Sequence, residues 1–229
     1  MNYQSALIVG AGSGLSASLA RAFAKAGLRV TLAARSIEKL ASLAAETGAK
    51  AIACDATKRA DIEKLFADLD AAAAPDVVVY NASYRTRGPL IDLDPVEVEK
   101  SLAITAFAGF LVAQAAVRRM LPRGRGAMLF TGASASVKGY AQSAPFAMGK
   151  FALRGLAQSM ARELSPQGIH VAHVVIDGGI RSVRRTEAPG APDSLLDPDA
   201  IAQSYLDVLK QPRSAWTQEI ELRPWVEKF

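Results

Sequence analysis

The sequence contains little cysteine, little histidine and no long uninterrupted apolar run. Cys54 is the single cysteine among 229 residues, so no disulfide can form within the chain, and a reducing, cytoplasmic setting fits best. No apolar run approaches the roughly 18 residues of a membrane span, and the first residues resemble a strand rather than a signal peptide, so we expect no membrane association. His170 and His173 have no third ligand nearby, so no metal site is expected.

The chain is basic but has few aromatic residues. Its net charge of +5 favours anionic partners in general. Aromatic residues make up only 7% of the sequence and are not interleaved with the arginines, a pattern more typical of solvated helix ends and loops than of a nucleic-acid surface. We therefore expect no nucleic-acid partner. The arginine clusters are Arg118 with Arg119, Arg123 with Arg125, and Arg181 with Arg184 and Arg185.

The most informative stretch lies near the N-terminus. The apolar run Ala6–Val9 passes through glycines into a stripe of Leu15, Leu19 and Phe23 at helical spacing, which predicts a strand, a tight turn and a helix. Glycines let such a turn approach a bound group, and the helix start offers unpaired N–H groups and a positive dipole end to a phosphate. An ordinary strand-to-helix turn has the same local pattern, but the alternation that follows favours a dinucleotide site. Its predicted residues are Gly10, Gly12, Ser13, Gly14 and Leu15.

Strands and helices alternate along the rest of the chain. This order predicts right-handed crossovers and an α/β fold, a Rossmann-like doubly wound parallel sheet of about seven strands in a single domain of residues 1–229. The predicted strands are Ala6–Val9, Arg29–Ala34, Ala49–Cys54, Asp76–Tyr80, Ala127–Thr131, Ile169–Ile176 and a last one opened by Trp216 and Thr217 and running through Leu222. The predicted helices include one capped by Ser36 and running through Leu43, and the segments Pro95–Met120, Pro145–Leu164 and Pro198–Leu209.

Several polar residues and glycines fall where the predicted strands end: Gly10, Arg35, Asp55, Asn81 and Thr131. In a doubly wound sheet, ligands bind beyond the carboxyl ends of the strands. Together these residues resemble the short-chain dehydrogenase/reductase family, and the resemblance covers essentially the whole chain. It implies a nicotinamide dinucleotide held at this edge of the sheet.

The resemblance extends residue by residue to the cofactor site. The first two glycines of the family's motif match Gly10 and Gly14, whereas the third falls at Ser16. Asp55 matches an acidic residue that meets the adenine, and Asn81-Ala82-Ser83 resembles the family's Asn-Ala-Gly stretch. The segment Ile176–Ile180 stands where the family has a turn beside the nicotinamide. The implied cofactor-binding residues beyond the glycine turn are Asp55, Ala56, Asn81, Ala82, Ser83, Thr131, Lys150, Gly178 and Ile180.

Arg35 bears on the choice of cofactor. NAD-specific enzymes usually place a carboxylate at the end of the second strand, where this sequence has Ala33, Ala34 and then Arg35. An arginine there can hold a 2′-phosphate through paired charge-assisted hydrogen bonds. A solvated arginine at a helix start is the alternative. We predict NADP (NADPH) as the cofactor.

The implied catalytic centre departs from the family pattern. The family uses a serine, a tyrosine, a lysine four residues later and an asparagine on the preceding long helix. Lys150 matches the lysine, which leaves Phe146 at the tyrosine position. Ser134 is the best match to the serine, with Ser136 second, and Thr105 falls where the asparagine is expected. The missing phenol would be the general acid, whose loss typically costs about 10²–10⁴ in rate.

Two residues are candidates to replace that acid. Tyr140 lies between Ser134 and the following helix, and Asp177 lies near the implied nicotinamide site, where burial could raise its pKa. For each, a local structural role is the alternative. Two functions stay open: an NADP-dependent oxidoreductase acting on a small carbonyl or alcohol, favoured by Ser134 and Lys150, and a catalytically impaired NADP-binding sensor or interaction module, favoured by Phe146.

The resemblance also implies self-association as a homodimer or homotetramer. The family typically pairs through the helices predicted here at Pro95–Met120 and Pro145–Leu164, and small residues on both would allow close approach. Packing against their own sheet is the alternative. A partner subunit could also cover the aromatics of the C-terminal segment 223–229. The small residues are Ala103, Ala106, Ala113, Gly149, Ala152 and Gly155.

Overall fold

Seven parallel strands form one sheet in the order β3-β2-β1-β4-β5-β6-β7. The structure is a computed structural model that describes residues 3–71 and 73–227. The predicted single-domain, doubly wound parallel sheet is confirmed. The strands are β1 (Ser5–Val9), β2 (Arg29–Ala34), β3 (Lys50–Ala53), β4 (Val77–Tyr80), β5 (Gly126–Thr131), β6 (Ile169–Ile176) and β7 (Glu219–Leu222).

Helices cover both faces of the sheet, which is why the central strands are continuously apolar rather than alternating. Every residue of β4, β5 and β6 is buried. One apolar core joins the sheet to α1, α2 and α7, and a second joins the opposite face to α3, α5 and α6. The helices are α1 (Leu15–Lys25), α2 (Ala41–Thr47), α3 (Arg59–Asp70), α4 (Pro95–Leu102), α5 (Ala108–Met120), α6 (Ala144–Leu164) and α7 (Pro198–Lys210).

Two helix starts share one local arrangement. The Asp94 carboxylate accepts a hydrogen bond from the Val96 N–H at 2.9 Å, with Pro95 as the first helical residue. Asp197 accepts from the Asp199 N–H at 2.8 Å in the same way before α7. Such an aspartate satisfies an otherwise unpaired N–H, and proline has no N–H to lose at the first position. These starts agree with the sequence prediction.

Several predicted boundaries are wrong, among them the start of α2 and the start of β7. Ser36 makes no capping hydrogen bond; instead a 3₁₀ turn (Glu38–Leu40) precedes α2, and neither start has a side-chain cap. The last strand begins at Glu219 rather than at Trp216, whose ring stacks on His170 with centroids 4.6 Å apart. The predicted strand therefore included three residues, 216–218, that precede the observed strand.

The single long helix predicted at Pro95–Met120 is two α-helices joined by a π-helical segment, Ala103–Phe107. A 3₁₀ turn extends the helical stretch to Arg123. By length and composition alone, Pro95–Arg123 is long and apolar enough to cross a membrane. Because the sequence has no long uninterrupted apolar run, we had expected no such segment. Core helices of soluble proteins pass the same test, and here α5 packs against β4, β5 and α3.

The small residues expected on a pairing surface divide into two groups. Ala113 is buried in the core under the sheet, and a Cβ on Gly149 would lie 2.9 Å from the Thr105 Cβ of the same chain. For these two positions, packing within the chain is the correct interpretation. Ala103, Ala106 and Ala152 instead line an open apolar groove with Phe107 and Phe110. Gly155 is also exposed. Lys228 and Phe229 of the predicted C-terminal surface lie outside the described residues.

Candidate active site

The carboxyl ends of the strands bring the predicted residues to one edge of the sheet. Val9 is level with Ala33 of β2 on one side and with Tyr80 of β4 on the other. The chain order reverses between β1 and β4, and the crevice at such a reversal is where doubly wound sheets bind ligands. Gly10, Arg35 and Asn81 directly follow these three strands.

Gly10 is the position at which the turn after β1 requires glycine. Its φ is +83°, and a Cβ there would lie 2.4 Å from the backbone nitrogen of Ala82. The Gly10 and Ala11 N–H groups both donate to the Ala33 carbonyl, at 3.0 and 3.1 Å. A Cβ at Gly12 or Gly14 would meet no atom within 4 Å. One side of the turn is thus packed against Ala33 and Ala82, and the side that carries Gly12 and Gly14 is open.

Ser16, the departure from the glycine motif, joins the turn to β4. Its hydroxyl donates to the Gly10 carbonyl at 3.1 Å and accepts from the Asn81 side-chain amide at 2.7 Å. The residue is 1% exposed. The serine therefore fixes the orientation of Asn81 as well as the shape of the turn, a role that the sequence pattern did not indicate.

A cavity of about 460 Å³ lies over this edge. The structure brings together there the predicted residues Gly10, Gly12, Ser13, Arg35, Asp55, Ala56, Asn81, Ala82 and Ser83. Ser36 and Lys39, which the sequence analysis did not assign to the site, also line it. Ser36 directly follows Arg35 at the end of β2, which was a signal in the sequence, whereas Lys39 reaches the cavity from the 3₁₀ turn Glu38–Leu40.

Opposite charges face each other across this cavity. The pKa of Asp55 is lowered overall. Partial burial raises it, but this effect is outweighed by hydrogen bonds from the Thr57 hydroxyl and N–H and by the nearby charges of Arg35 and Lys58. The Asp55 carboxylate is therefore an ionised acceptor. Arg35 is exposed, and its guanidinium forms no hydrogen bond or ion pair within the described residues. It is thus available to a ligand.

The residues around the first cavity fit a nicotinamide dinucleotide. No side chain caps the N-terminus of α1 at Gly14, so the first turn still offers N–H donors and the positive end of its dipole to a phosphate. The open side of the turn leaves space beside these donors. Within residues 3–71 and 73–227, no three histidine, cysteine or acidic side chains come together in a group that could hold a metal ion.

A second cavity, of about 770 Å³, adjoins the first and shares Asn81 and Ser83 with it. The remaining predicted residues that line it are Gly14, Leu15, Thr131, Ser134, Tyr140, Lys150, Gly178 and Ile180, and Phe146 lies among them.

Lys150 lies at the base of the second cavity. It is 3% exposed, and its ammonium donates to the Thr131 carbonyl at 2.6 Å. The Thr131 hydroxyl is itself paired with the Tyr205 hydroxyl of α7 at 2.8 Å, so Thr131 links the lysine to α7. Burial lowers the pKa of Lys150 to about 8. An ammonium has three donors, which leaves Lys150 able to donate to a ligand.

Phe146 lies one helical turn before Lys150 on α6 and is largely buried. Two cations lie close to its ring: the Lys150 ammonium is 5.7 Å from the ring centroid and the Arg85 guanidinium is 4.7 Å from it. Cations are attracted to the face of an aromatic ring at such distances. The ring thus forms an apolar part of the cavity wall with two positive charges nearby.

The two candidate serines differ in what they contact. Ser136 is fully buried, and its hydroxyl accepts from the Ala133 N–H at 3.1 Å. Ser134 lines the second cavity, and its hydroxyl makes no hydrogen bond within the described part of the chain. The geometry therefore favours Ser134 as the serine that meets a ligand and assigns Ser136 to the turn.

Thr105 and the two candidate acids are placed differently. Thr105 is buried, and its hydroxyl accepts from the Tyr84 N–H at 3.2 Å, so it holds the backbone at Tyr84. Tyr140 is 47% exposed and lines the second cavity. Asp177 is 2% exposed, does not line that cavity, and is ion-paired with Lys138 at 3.3 Å and Arg223 at 3.1 Å. Of the two acids, only Tyr140 faces the cavity.

The family of the chain follows from comparison with known proteins. Residues 4–188 match the family described as short chain dehydrogenase. The chain belongs to the short-chain dehydrogenase family. A relative of this family, the sorbitol dehydrogenase of Cereibacter sphaeroides, is 32% identical over 182 residues, which cover 76% of this chain and 71% of that one.

Solved structures of short-chain dehydrogenases are similar over nearly the whole chain. One from Rhodopseudomonas palustris has 35% identity and a TM-score of 0.84, covering 97% of this chain and 99% of the other. A metagenomic short-chain oxidoreductase in complex with NADP has 29% identity and a TM-score of 0.84, covering 97% and 98%. Membership in the family supports oxidoreductase activity with a nicotinamide cofactor and does not favour the non-catalytic alternative.

Proposed function

We propose that this short-chain dehydrogenase is an NADP-dependent oxidoreductase that interconverts a small carbonyl compound and its alcohol, with Phe146 at the position of the family's catalytic tyrosine. The observation that carries the proposal is the convergence of a free Ser134 hydroxyl and the buried Lys150 ammonium on one cavity that adjoins the glycine turn. A protein that only sensed the cofactor would not need the Ser134 hydroxyl.

The proposed preference for NADP rests on Arg35. Its unpaired guanidinium lies at the end of β2 beside Ser36 and Lys39, three groups suited to a 2′-phosphate. No carboxylate stands at Ala34 to accept from the ribose hydroxyls of NAD. Similarity to a short-chain oxidoreductase solved with NADP adds support.

The bound cofactor would supply or accept hydride at the nicotinamide ring. The chain's own residues have separate tasks. The Ser134 hydroxyl donates a hydrogen bond to the substrate oxygen, and the Lys150 ammonium, anchored on the Thr131 carbonyl, donates to the ribose side of the site. The substrate oxygen also needs a proton source, because phenylalanine has no transferable proton. We assign that role to the Tyr140 hydroxyl, which lines the same cavity, rather than to the ion-paired Asp177.

Titration with both cofactors tests the assignment. We expect NADPH to bind more tightly than NADH, and Arg35→Ala to remove most of that difference, since hydrogen bonds between charged groups contribute about 1.5–3 kcal/mol when well ordered. Arg29→Ala is the matched control, because Arg29 is exposed at the opposite end of the same strand. Equal affinities for NADPH and NADH in the parent would refute NADP dependence.

We also propose a homodimer or homotetramer that pairs through α4, α5 and α6. Phe107 is 57% exposed and Phe110 is 40% exposed, and their rings are stacked with centroids 6.1 Å apart. They border the groove that contains Ala103, Ala106 and Ala152. Small residues beside exposed aromatics form a surface that a second copy could cover at close range.

A further inference from the structure

Arginines dominate the wall of the second cavity. Besides Lys150, the cavity is lined by Arg85, Arg87, Arg181, Arg184 and Arg185, and no aspartate or glutamate of the described residues is among its lining. The net charge of the whole chain is only +5. The positive charge is therefore concentrated at the place where the proposed function puts the substrate.

Most of these arginines have no acidic partner. Arg181 is ion-paired with Asp197. The side chains of Arg85, Arg87, Arg184 and Arg185 form no hydrogen bond or ion pair within residues 3–71 and 73–227. Arginines that serve only to stabilise a fold normally have such partners, as Arg119 and Arg154 do elsewhere in this chain.

The cluster is held in place by backbone structure. Arg85 lies over the Phe146 ring. Arg185 belongs to a turn in which its N–H and carbonyl both bond to Ser182, and its side chain packs on Gly179, where a Cβ would lie 2.8 Å from the guanidinium. A bridge between Ile180 and Leu196 closes the base of this loop. The loop thus presents Arg185 toward the cavity.

The arginines repel one another in the absence of a ligand. Burial lowers the pKa of Arg85, and the neighbouring charges of Arg87 and Arg185 lower it further. An anion placed among the three would offset this repulsion and accept charge-assisted hydrogen bonds in a planar fork geometry that guanidinium groups favour.

We infer that the substrate carries an anionic group, a phosphate or a carboxylate, that binds among Arg85, Arg87 and Arg185 while its reacting carbon lies near Ser134. This inference rests on the proposed function, because it assigns the second cavity to the substrate. Such a substrate would differ from the neutral polyols that some relatives act on, because sorbitol carries no charge that the arginines could bind. Arg35 lies in the other cavity, beside the end of β2. The predicted cofactor-binding residues Gly14 and Lys150 also line the second cavity, so the anionic group would bind beside the cofactor.

Anion binding to the cofactor-loaded protein tests the inference. Inorganic phosphate and acetate, with glycerol as the neutral probe, are titrated by calorimetry into protein saturated with NADP, so that the Arg35 site is filled. We expect saturable binding of at least one anion and none of glycerol. The anion that binds more tightly indicates whether the substrate carries a phosphate or a carboxylate.

Three variants locate the site. Arg85→Gln and Arg185→Gln should each weaken anion binding by about tenfold, as expected for loss of one partly solvated charge-assisted hydrogen bond. Arg118→Gln, an exposed arginine on α5, should leave it unchanged. All three should retain the parent's affinity for NADPH.

The results that would overturn the inference are distinct from those that would overturn the proposed function. Absence of saturable anion binding, or equal binding by Arg85→Gln, Arg185→Gln and the parent, contradicts the anionic substrate. A parallel loss of NADPH affinity in Arg85→Gln and Arg185→Gln would assign the cluster to the cofactor instead. Failure of the parent to bind NADPH would refute the proposed function, whatever the anions do.

Discussion

Replacing Phe146 by tyrosine tests whether this position is the one from which a phenol has been lost. The new hydroxyl would lie near two cations, since Lys150 and Arg85 are both close to the ring. Nearby positive charge lowers the pKa of a phenol toward working pH, which suits it to proton transfer. A general acid typically contributes about 10²–10⁴ in rate, or roughly 3–5 kcal/mol of transition-state stabilisation.

The structure also indicates that the substitution is tolerated. Phe146 borders a cavity of about 770 Å³, and the substitution adds only one oxygen, so we expect little steric cost. The thermal midpoint of Phe146→Tyr should therefore stay within a few degrees of the parent's. Phe151→Tyr is the matched control, because Phe151 lies on the same helix but is 43% exposed.

The assay is the loss of NADPH absorbance with a panel of aldehydes and ketones, including neutral and anionic members. We expect Phe146→Tyr to exceed the parent by the general-acid factor, and Phe151→Tyr to equal the parent. If Tyr140 supplies the proton in the parent, Tyr140→Phe should abolish parental turnover but not that of Phe146→Tyr. A folded Phe146→Tyr that binds NADPH and gains no activity would refute the assignment of this position.

Three further predictions concern Lys150, the two serines and the oligomer. Burial lowers the pKa of Lys150 to about 8 from 10.5, so between these two pH values the unfolded chain binds more protons than the folded one. The parent's free energy of unfolding, measured by urea denaturation, should therefore rise with pH across that window relative to that of Lys150→Met. A difference between the two proteins that does not change with pH would refute this prediction. Ser134→Ala should lower turnover with little change in stability. Ser136→Ala should instead cost about 1 kcal/mol of stability, because it leaves the Ala133 N–H unpaired. The reverse pattern would exchange the roles of the two serines. Sedimentation should show a species larger than 24.2 kDa that Phe107→Ser with Phe110→Ser dissociates, and a monomeric parent would contradict pairing.

The sheet could be predicted closely from the sequence because its strands are buried on both faces. The runs at β2 and β6 are mostly apolar and are each followed by a charged residue, Arg35 and Asp177, and their bounds were predicted as observed. Helices that start with Asp-Pro were equally clear, as at α4 and α7. Prediction failed where packing, rather than the local sequence pattern, determines the structure. The π-helical segment Ala103–Phe107, for example, was not visible in the hydrophobic periodicity.

The candidate site could be predicted only where position along a strand determines it. Gly10 and Arg35 follow strands directly, and topology alone brings them together. The contact of Ser16 with Asn81 depends on two side chains 65 residues apart, and no local pattern encodes it. Likewise, Arg184 and Arg185 were expected to be solvated loop residues, because only the folded chain brings them to the same cavity as Arg85.

The most direct test of the central claim is turnover by the parent protein itself. Purified parent, saturated with NADPH, is assayed against the carbonyl panel beside Ser134→Ala, which keeps the cofactor site intact. The account predicts carbonyl-dependent oxidation of NADPH by the parent, its loss in Ser134→Ala and unchanged NADPH affinity in both. A parent that binds NADPH tightly but consumes none with any carbonyl, or a Ser134→Ala variant as active as the parent, would contradict it.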